Sequence, residues 1–443
     1  MTVRSLGWAS TAAVERALRN LRGGTLLLAT AVGTAEYGAG APTVRVTVHQ
    51  ADFFRRLLLR GSVGAGESYM DGEWDCDDLP ALLRIMLRNR SALEGLEGLA
   101  SVPAAVGDAL GHRFRRNTLR GSRRNIHAHY DLGNDFFRIF LDQGMSYSCA
   151  VYDTGAESLE EASAAKLERL CRKLQLGPDD HLLDVGCGWG GLAIYAAERF
   201  GCRVTAVTVS EAQHRHARER VAACGLGERI KVLARDYRRV TGQFDKIVSV
   251  EMVEAVGHDH LDRYFAACSH LLKPSGLMAL QAIVIRDSRY RRALHRADFI
   301  KKHIFPGGFI PSVSVLTRAA AKADLTLVNL EDFGLDYART LREWRLRLDA
   351  GAHRLPAQLA PQQPSPSDNA SCPSPSRPAA CQQAAGSRHP KSDKLLEERF
   401  VRMWRFYFAY CEAGFAERAT SDVQMLLAPG GWRGPVWRAR GSA

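Results

Sequence analysis

The residues best suited by type and spacing to hold a reactive ligand run Asp184-Val185-Gly186-Cys187-Gly188-Trp189-Gly190-Gly191, between an apolar stretch and a helical one. Glycines at alternate positions let the backbone approach a ligand closely. A dinucleotide loop would place its third glycine one residue later and end the second strand in a carboxylate for the ribose. Here the second strand ends Thr208-Val209-Ser210-Glu211 without that carboxylate, which leaves Thr208 and Gln213 for the role. Asp236 stands at a strand end after the stretch from Ile230 to Arg235, with a surface turn as its plain alternative, and Trp189 adds an aromatic side chain to the loop. Upstream, a polar and aromatic block from Asn125 to Phe137 and then Met145-Ser146-Tyr147-Ser148-Cys149-Ala150 suits a cover over the cleft. His127 and His129 alone are too few for a metal centre, and no metal is expected.

Such a loop needs a sheet edge behind it. Helical patterns at Leu159–Leu174, Leu192–Phe200 and Glu211–Cys224 alternate with strand candidates at Leu182–Val185, Arg203–Val209, Ile230–Ala234, Lys246–Val250 and Leu277–Ile283. That alternation predicts a parallel, doubly wound α/β sheet with its chemistry at the carboxyl edge. Residues 1–108 read as a smaller α+β domain: a helical start, the β-prone runs Thr25–Leu28 and Thr43–Val48, and a turn-like Gly33–Gly40 stretch. Residues 109–124 form a basic linker with six arginines between Arg113 and Arg124, read either as a solvated face or as a phosphate-contacting strip. A catalytic domain is expected over 125–350. Eight of the 17 prolines fall in 351–393, a Ser/Gln-rich insert too poor in large apolar residues to offset its ordering entropy and so expected to be disordered. Residues 394–443 complete the catalytic domain as a helical extension. In it Phe400, Met403, Trp404, Tyr407, Phe408 and Cys411 share one face, as a core stripe or an acyl-chain surface.

The whole chain has 443 residues, 46% hydrophobic and 24% charged, which excludes a wholly disordered or fibrous chain. A net charge of +12 points to a polyanionic partner, nucleic acid or an anionic membrane surface. No apolar run is long enough to span a bilayer, so lipid contact is expected to be peripheral. The run Thr25–Val32 starts late for a secretory signal, and the ten scattered cysteines, without a C-x-x-C pair, fit reduced thiols in a cytosol-like compartment.

Together with the glycine loop and the Asn125–Phe137 and Met145–Ala150 blocks, three further motifs carry a resemblance: Glu251-Met252-Val253-Glu254-Ala255-Val256-Gly257, Lys302-His303-Ile304-Phe305-Pro306-Gly307-Gly308 and Tyr410-Cys411-Glu412-Ala413-Gly414-Phe415. They resemble the cyclopropane-fatty-acyl-phospholipid synthase family, which includes mycolic acid cyclopropane synthases. The resemblance implies a Rossmann-like class I methyltransferase fold. It also implies transfer of a methyl group from S-adenosylmethionine to the cis double bond of a phospholipid acyl chain, followed by ring closure. Cofactor contacts implied in the same way are Tyr147, Ser148, Val185, Gly186, Cys187, Gly188, Trp189, Gly190, the run Thr208, Val209, Ser210, Glu211, Ala212 and Gln213, and Asp236 with Tyr237. The implied base is a bicarbonate ion held by Cys149, Glu254, the backbone at Ile283 and Tyr337. Gln281 stands where some relatives carry histidine; it can hydrogen-bond an anion but cannot titrate. Cys411 matches a cysteine often assigned as active. The implied partner is an unsaturated phospholipid in an anionic membrane, with a homodimer entertained and a cytoplasmic, membrane-associated location. A small-molecule amine methyltransferase or a methyl-branching fatty acid methyltransferase is the alternative. Ser249-Val250-Glu251-Met252 replaces the Asn/Asp-Pro-Pro-aromatic tetrad of base methyltransferases, so no nucleic-acid partner is expected.

Overall fold

The structure, a computed structural model, describes residues 3–91, 133–155, 157–354 and 390–435. The arginine strip Arg113–Arg124, most of the Asn125–Phe137 block with His127 and His129, and residues 355–389 of the expected insert lie outside the described residues.

The chain begins with α1 (Val3–Leu18), β1 (Gly24–Thr30), β2 (Gly33–Ala39), β3 (Thr43–Val48), α2 (Asp52–Met70), β4 (Trp74–Cys76) and α3 (Leu79–Arg88). The strands form one sheet in the order β2-β1-β3-β4. The Gly33–Gly40 stretch, read from sequence as turn-like, is thus an edge strand; its largely exposed residues carry no apolar alternation for the sequence to show.

A short α4 (Asn134–Arg138) leads to α5 (Leu159–Lys173), whose N-terminus is fixed by a reciprocal cap between Ser158 and Glu161. Strand and helix then alternate: β5 (His181–Val185), α6 (Gly191–Phe200), β6 (Arg203–Thr208), α7 (Glu211–Ala223), β7 (Ile230–Ala234), β8 (Phe244–Val250), α8 (Leu261–Leu271) and β9 (Leu272–Ile285). Two short helices, α9 (Asp287–His295) and α10 (Phe299–His303), precede α11 (Val313–Lys322), β10 (Leu325–Asp332), α12 (Gly334–Gly351), α13 (Pro390–Ala416) and β11 (Thr420–Pro429).

The main sheet has the order β10-β11-β9-β8-β5-β6-β7. Pairings from β9 through β7 are parallel, whereas β11 runs antiparallel to both β9 and β10. Strand order therefore reverses between β5 and β8, and a crevice opens beyond their carboxyl ends. The C-terminal part is not only helical: β11 inserts between β9 and β10. Buried on both faces from Val423 to Ala428, it reads as a continuous apolar run, which periodicity cannot tell from a buried helix. The helix before it starts at Pro390, five residues ahead of the expected Leu395. Part of its face is core, since Phe400, Trp404 and Phe408 are buried among Phe136, Phe140 and Trp344 and α13 packs on α12, α2 and α3, whereas Tyr407 and Cys411 line a cavity.

Candidate active site

At the switch point, Gly186 and Gly188 adopt φ of +87° and +54°, a region side chains disfavour. A Cβ on Gly186 would come within 2.6 Å of Met252 Cγ, whereas at Gly188 nothing lies within 4 Å. The open space belongs to a cavity of about 560 Å³. Arg220 of α7 holds the loop by donating to the Trp189 carbonyl at 3.1 Å and to that of Gly144 at 2.9 Å, tying it to the segment before Met145. Trp189 is buried, donates to Asn134 at 2.8 Å and packs against Phe137.

The cavity wall includes most of the residues expected at the cofactor: Tyr147, Ser148, Val185, Gly186, Cys187, Gly188, Trp189, Thr208, Val209, Gln213, Asp236 and Tyr237. The structure places Gly190, Ser210, Glu211 and Ala212 off that wall. Gly190 instead caps α6, and the Ser210 side chain caps α7. Thr208 donates to the Gln213 side chain at 2.9 Å, so the two residues considered for the ribose are paired. The Asp236 carboxylate accepts from the Arg238 guanidinium at 2.6 and 2.8 Å and caps the turn that follows.

A buried polar set lies against the far wall. Glu251, the residue after β8, sits at φ +47°, which turns a non-glycine backbone into the left-handed region. Its Oε1 accepts from the Cys149 backbone N–H at 2.7 Å and from Gln281 Nε2 at 2.9 Å, and its Oε2 from the Tyr337 hydroxyl at 2.5 Å. Glu254 Oε1 accepts from the Ile283 N–H at 2.6 Å, and its Oε2 is buried without a partner. Gln424 of β11 donates to Gln281 Oε1 at 3.0 Å, and both carboxylate oxygens of Asp422 are buried without partners. Lys166, fully buried on α5, donates to Ser148 Oγ at 2.8 Å.

Burial and then the charge of Glu251 push Glu254 up to about 8. The same causes, with Glu254 added, push Asp422 well above the carboxylate range. Burial also raises Glu251, but Tyr337, Cys149, Gln281 and the Lys166 charge all oppose the rise. Burial lowers Lys166. The thiols of Cys149 and Cys411 are both pushed up by burial.

Of the residues expected to act on substrate, Cys149, Glu254, Gln281 and Tyr337 thus converge. Cys411 lines the cavity from α13, and among the described residues no hydrogen bond joins it to that set. A separate bicarbonate does not fit this arrangement. Three of its expected holders, Cys149, Gln281 and Tyr337, already donate to the Glu251 carboxylate, and the Ile283 N–H is taken by Glu254. Sequence reasoning quoted Glu251 without giving it a role, and missed Lys166, Asp422 and Gln424. Lys166 left a trace: it shares the apolar face of Leu159, Ala162 and Leu170, where a solvated lysine does not belong.

A model of the mycolic acid cyclopropane synthetase family matches residues 117–362. The tuberculostearic acid methyltransferase of Mycobacterium tuberculosis is 35% identical over 89% of this chain and 86% of its own length. The cyclopropane-fatty-acyl-phospholipid synthase of Escherichia coli K12 is 36% identical over 87% of each. The solved structure of mycolic acid cyclopropane synthase CmaA1 bound to SAH and CTAB superposes with a TM-score of 0.56 at 27% identity, covering 69% of this chain and 97% of that one. A reversed strand in a seven-stranded sheet, a glycine loop at its switch point and similarity along most of both chains lead to one conclusion: the chain belongs to the mycolic acid cyclopropane synthetase family of methyltransferases.

Proposed function

We propose that this methyltransferase, S-adenosylmethionine-dependent like its family, adds a methylene across the cis double bond of unsaturated phospholipid acyl chains. The observation that carries the reading is one continuous cavity joining the glycine loop to the Glu251–Glu254–Tyr337 set. Between them the wall is lined by Ile283, Ile285, Phe305, Phe309 and Leu341, apolar surface suited to an acyl chain. The relative from Escherichia coli is named for this lipid reaction, and its similarity spans both parts of the site.

The chemistry asks three things of the chain. An alkene has no proton to give up beforehand, so the first step depends on aligning it with the sulfonium. The loop at Gly186 and Gly188 would hold the methyl donor, with Gln213 and Asp236 on the same cavity wall to contact it. The cation left on the acyl chain must be kept from water and is stabilised by aromatic faces, which Tyr147, Phe305 and Tyr407 supply along the wall. A proton must finally leave the transferred methyl group. The cavity wall also carries Arg289 and Arg292 of α9, with Arg296 beyond it, basic residues for docking on the phosphates of an anionic membrane.

The deciding experiment incubates the protein with vesicles of an oleoyl phospholipid and methyl-labelled S-adenosylmethionine, followed by mass analysis of the released fatty acids. The expected product is labelled, one methylene heavier and free of the alkene. A labelled methyl-branched chain, or label only on an added amine, would overturn the reading.

A further inference from the structure

We propose that Glu251 is itself the group that removes the proton at ring closure, its carboxylate standing in place of a separate bicarbonate ion. The inference rests on the lipid reaction proposed above. In that closing step a C–H bond of the transferred methyl breaks, and its electron pair forms the bond to the neighbouring cationic carbon. The proton passes to the Glu251 carboxylate and is returned to solvent before the next turnover.

A base here must face the reacting chain, carry negative charge and be held in place. Glu251 lines the cavity, and its two oxygens accept three hydrogen bonds from three separate segments: the loop at Cys149, β9 at Gln281 and α12 at Tyr337. Donors of this kind favour the ionised form. Its neighbours have the opposite surroundings. Glu254 has one donor and a bare buried oxygen, and Asp422 has two bare oxygens, so the charge that these three buried carboxylates share settles on Glu251. Lys166, which donates to Ser148, adds a positive charge that opposes the rise of both Glu251 and Asp422, so the choice between them rests on the donors.

Other candidates on the wall fail one requirement or another. Asp236 is paired with Arg238. Burial holds the Cys411 thiol protonated, and the Tyr337 hydroxyl, whose proton already points to Glu251, is likewise pushed up. Gln281 is held by Glu251 on one side and Gln424 on the other, which fixes its amide as a donor toward the carboxylate. The left-handed backbone at Glu251 costs roughly 1–2 kcal/mol, and strain of this kind persists where the surroundings require one side-chain direction.

The test compares the full chain with Glu251→Gly, which clears an anion-sized space under the same donors, and with Glu251→Gln. In buffer freed of carbon dioxide the wild type should keep its turnover, and labelled bicarbonate should show no NMR line broadening with it. Both variants should lose about 100-fold or more in turnover, the range for removing a positioned base. Added bicarbonate or formate should restore Glu251→Gly by about 10-fold and leave Glu251→Gln inactive, since only the first has room for an anion. Unchanged S-adenosylmethionine affinity shows that each variant is folded. A wild type that needs bicarbonate, or a Glu251→Gln variant within about 3-fold of wild type, overturns the proposal, because neither fits a positioned internal base. Should the wild type make no cyclopropane lipid, the lipid reading fails. Bicarbonate broadening still shows whether Glu251 fills the anion position.

Discussion

Gly188 illustrates how one residue can serve the ligand without serving the fold. A Cβ there would meet no atom within 4 Å and would project into the cavity, so the protein itself leaves the position open. The expected cost of Gly188→Val to stability is the left-handed backbone alone, roughly 1–2 kcal/mol. The expected cost to S-adenosylmethionine affinity is larger, about 10- to 100-fold, the effect of blocking a close backbone contact. Calorimetric titration beside a denaturant curve separates the two, and unchanged affinity in a folded variant would remove the loop from the binding site. This glycine was legible because spacing in a short motif carries its own reason. Glu251 stands in an equally short motif, yet its role depends on Cys149, Gln281 and Tyr337, which lie far from it in sequence and meet it only in the fold.

Among the elements, Glu67 ties α2, one wall of the cavity, to α10. Glu67 of α2 accepts from Lys302 Nζ at 2.7 Å and His303 Nε2 at 3.0 Å, and also pairs with Arg60. Burial alone would raise its pKa, but the hydrogen bonds from His303 and Lys302 outweigh it and hold the carboxyl at about 2. A carboxyl depressed from 4.5 stabilises the fold above its unfolded value, and that contribution fades as pH falls from about 4.5 toward 2. Glu67→Gln should therefore cost about 1–3 kcal/mol at pH 7 and little near pH 2, read by urea unfolding at several pH values. A constant difference across that range would show that the charge is not what holds the joint. Because Leu59, Arg60, Ser62 and Val63 of α2 line the cavity, the same variant should also weaken lipid turnover more than cofactor binding. Element types were legible where strands alternate with amphipathic helices, from β5 to β9. They were not legible at β2, which is exposed, nor at β11, which is buried on both faces, because neither shows the alternation of a half-buried strand.

At the scale of the whole molecule, the proposed membrane docking would give the net charge of +12 a place to act. Arg289, Arg292 and Arg296 lie at the cavity wall, and each basic side chain near an anionic surface is worth about 1 kcal/mol. Vesicle binding should require anionic lipid and fall steeply between low salt and physiological salt, where screening acts over roughly 8–10 Å. Replacing Arg289, Arg292 and Arg296 together by Ala should weaken it by about 10-fold or more, measured by co-sedimentation. Equal binding to neutral and anionic vesicles at low salt would assign the charge to another partner. Among the described residues no helix is long and apolar enough to cross a membrane.

The placement of β11 has a bearing on synthesis. The strand wedged between β9 and β10 supplies Gln424, which braces Gln281 across 143 residues of sequence, and Asp422 beside it. On the ribosome, the glycine loop and its parallel strands are complete long before that strand emerges. A nascent chain can thus shape its donor pocket early, while the polar set around Gln281 remains incomplete until β11 emerges. Capacity to capture the methyl donor and capacity to use it should appear at different chain lengths, in that order.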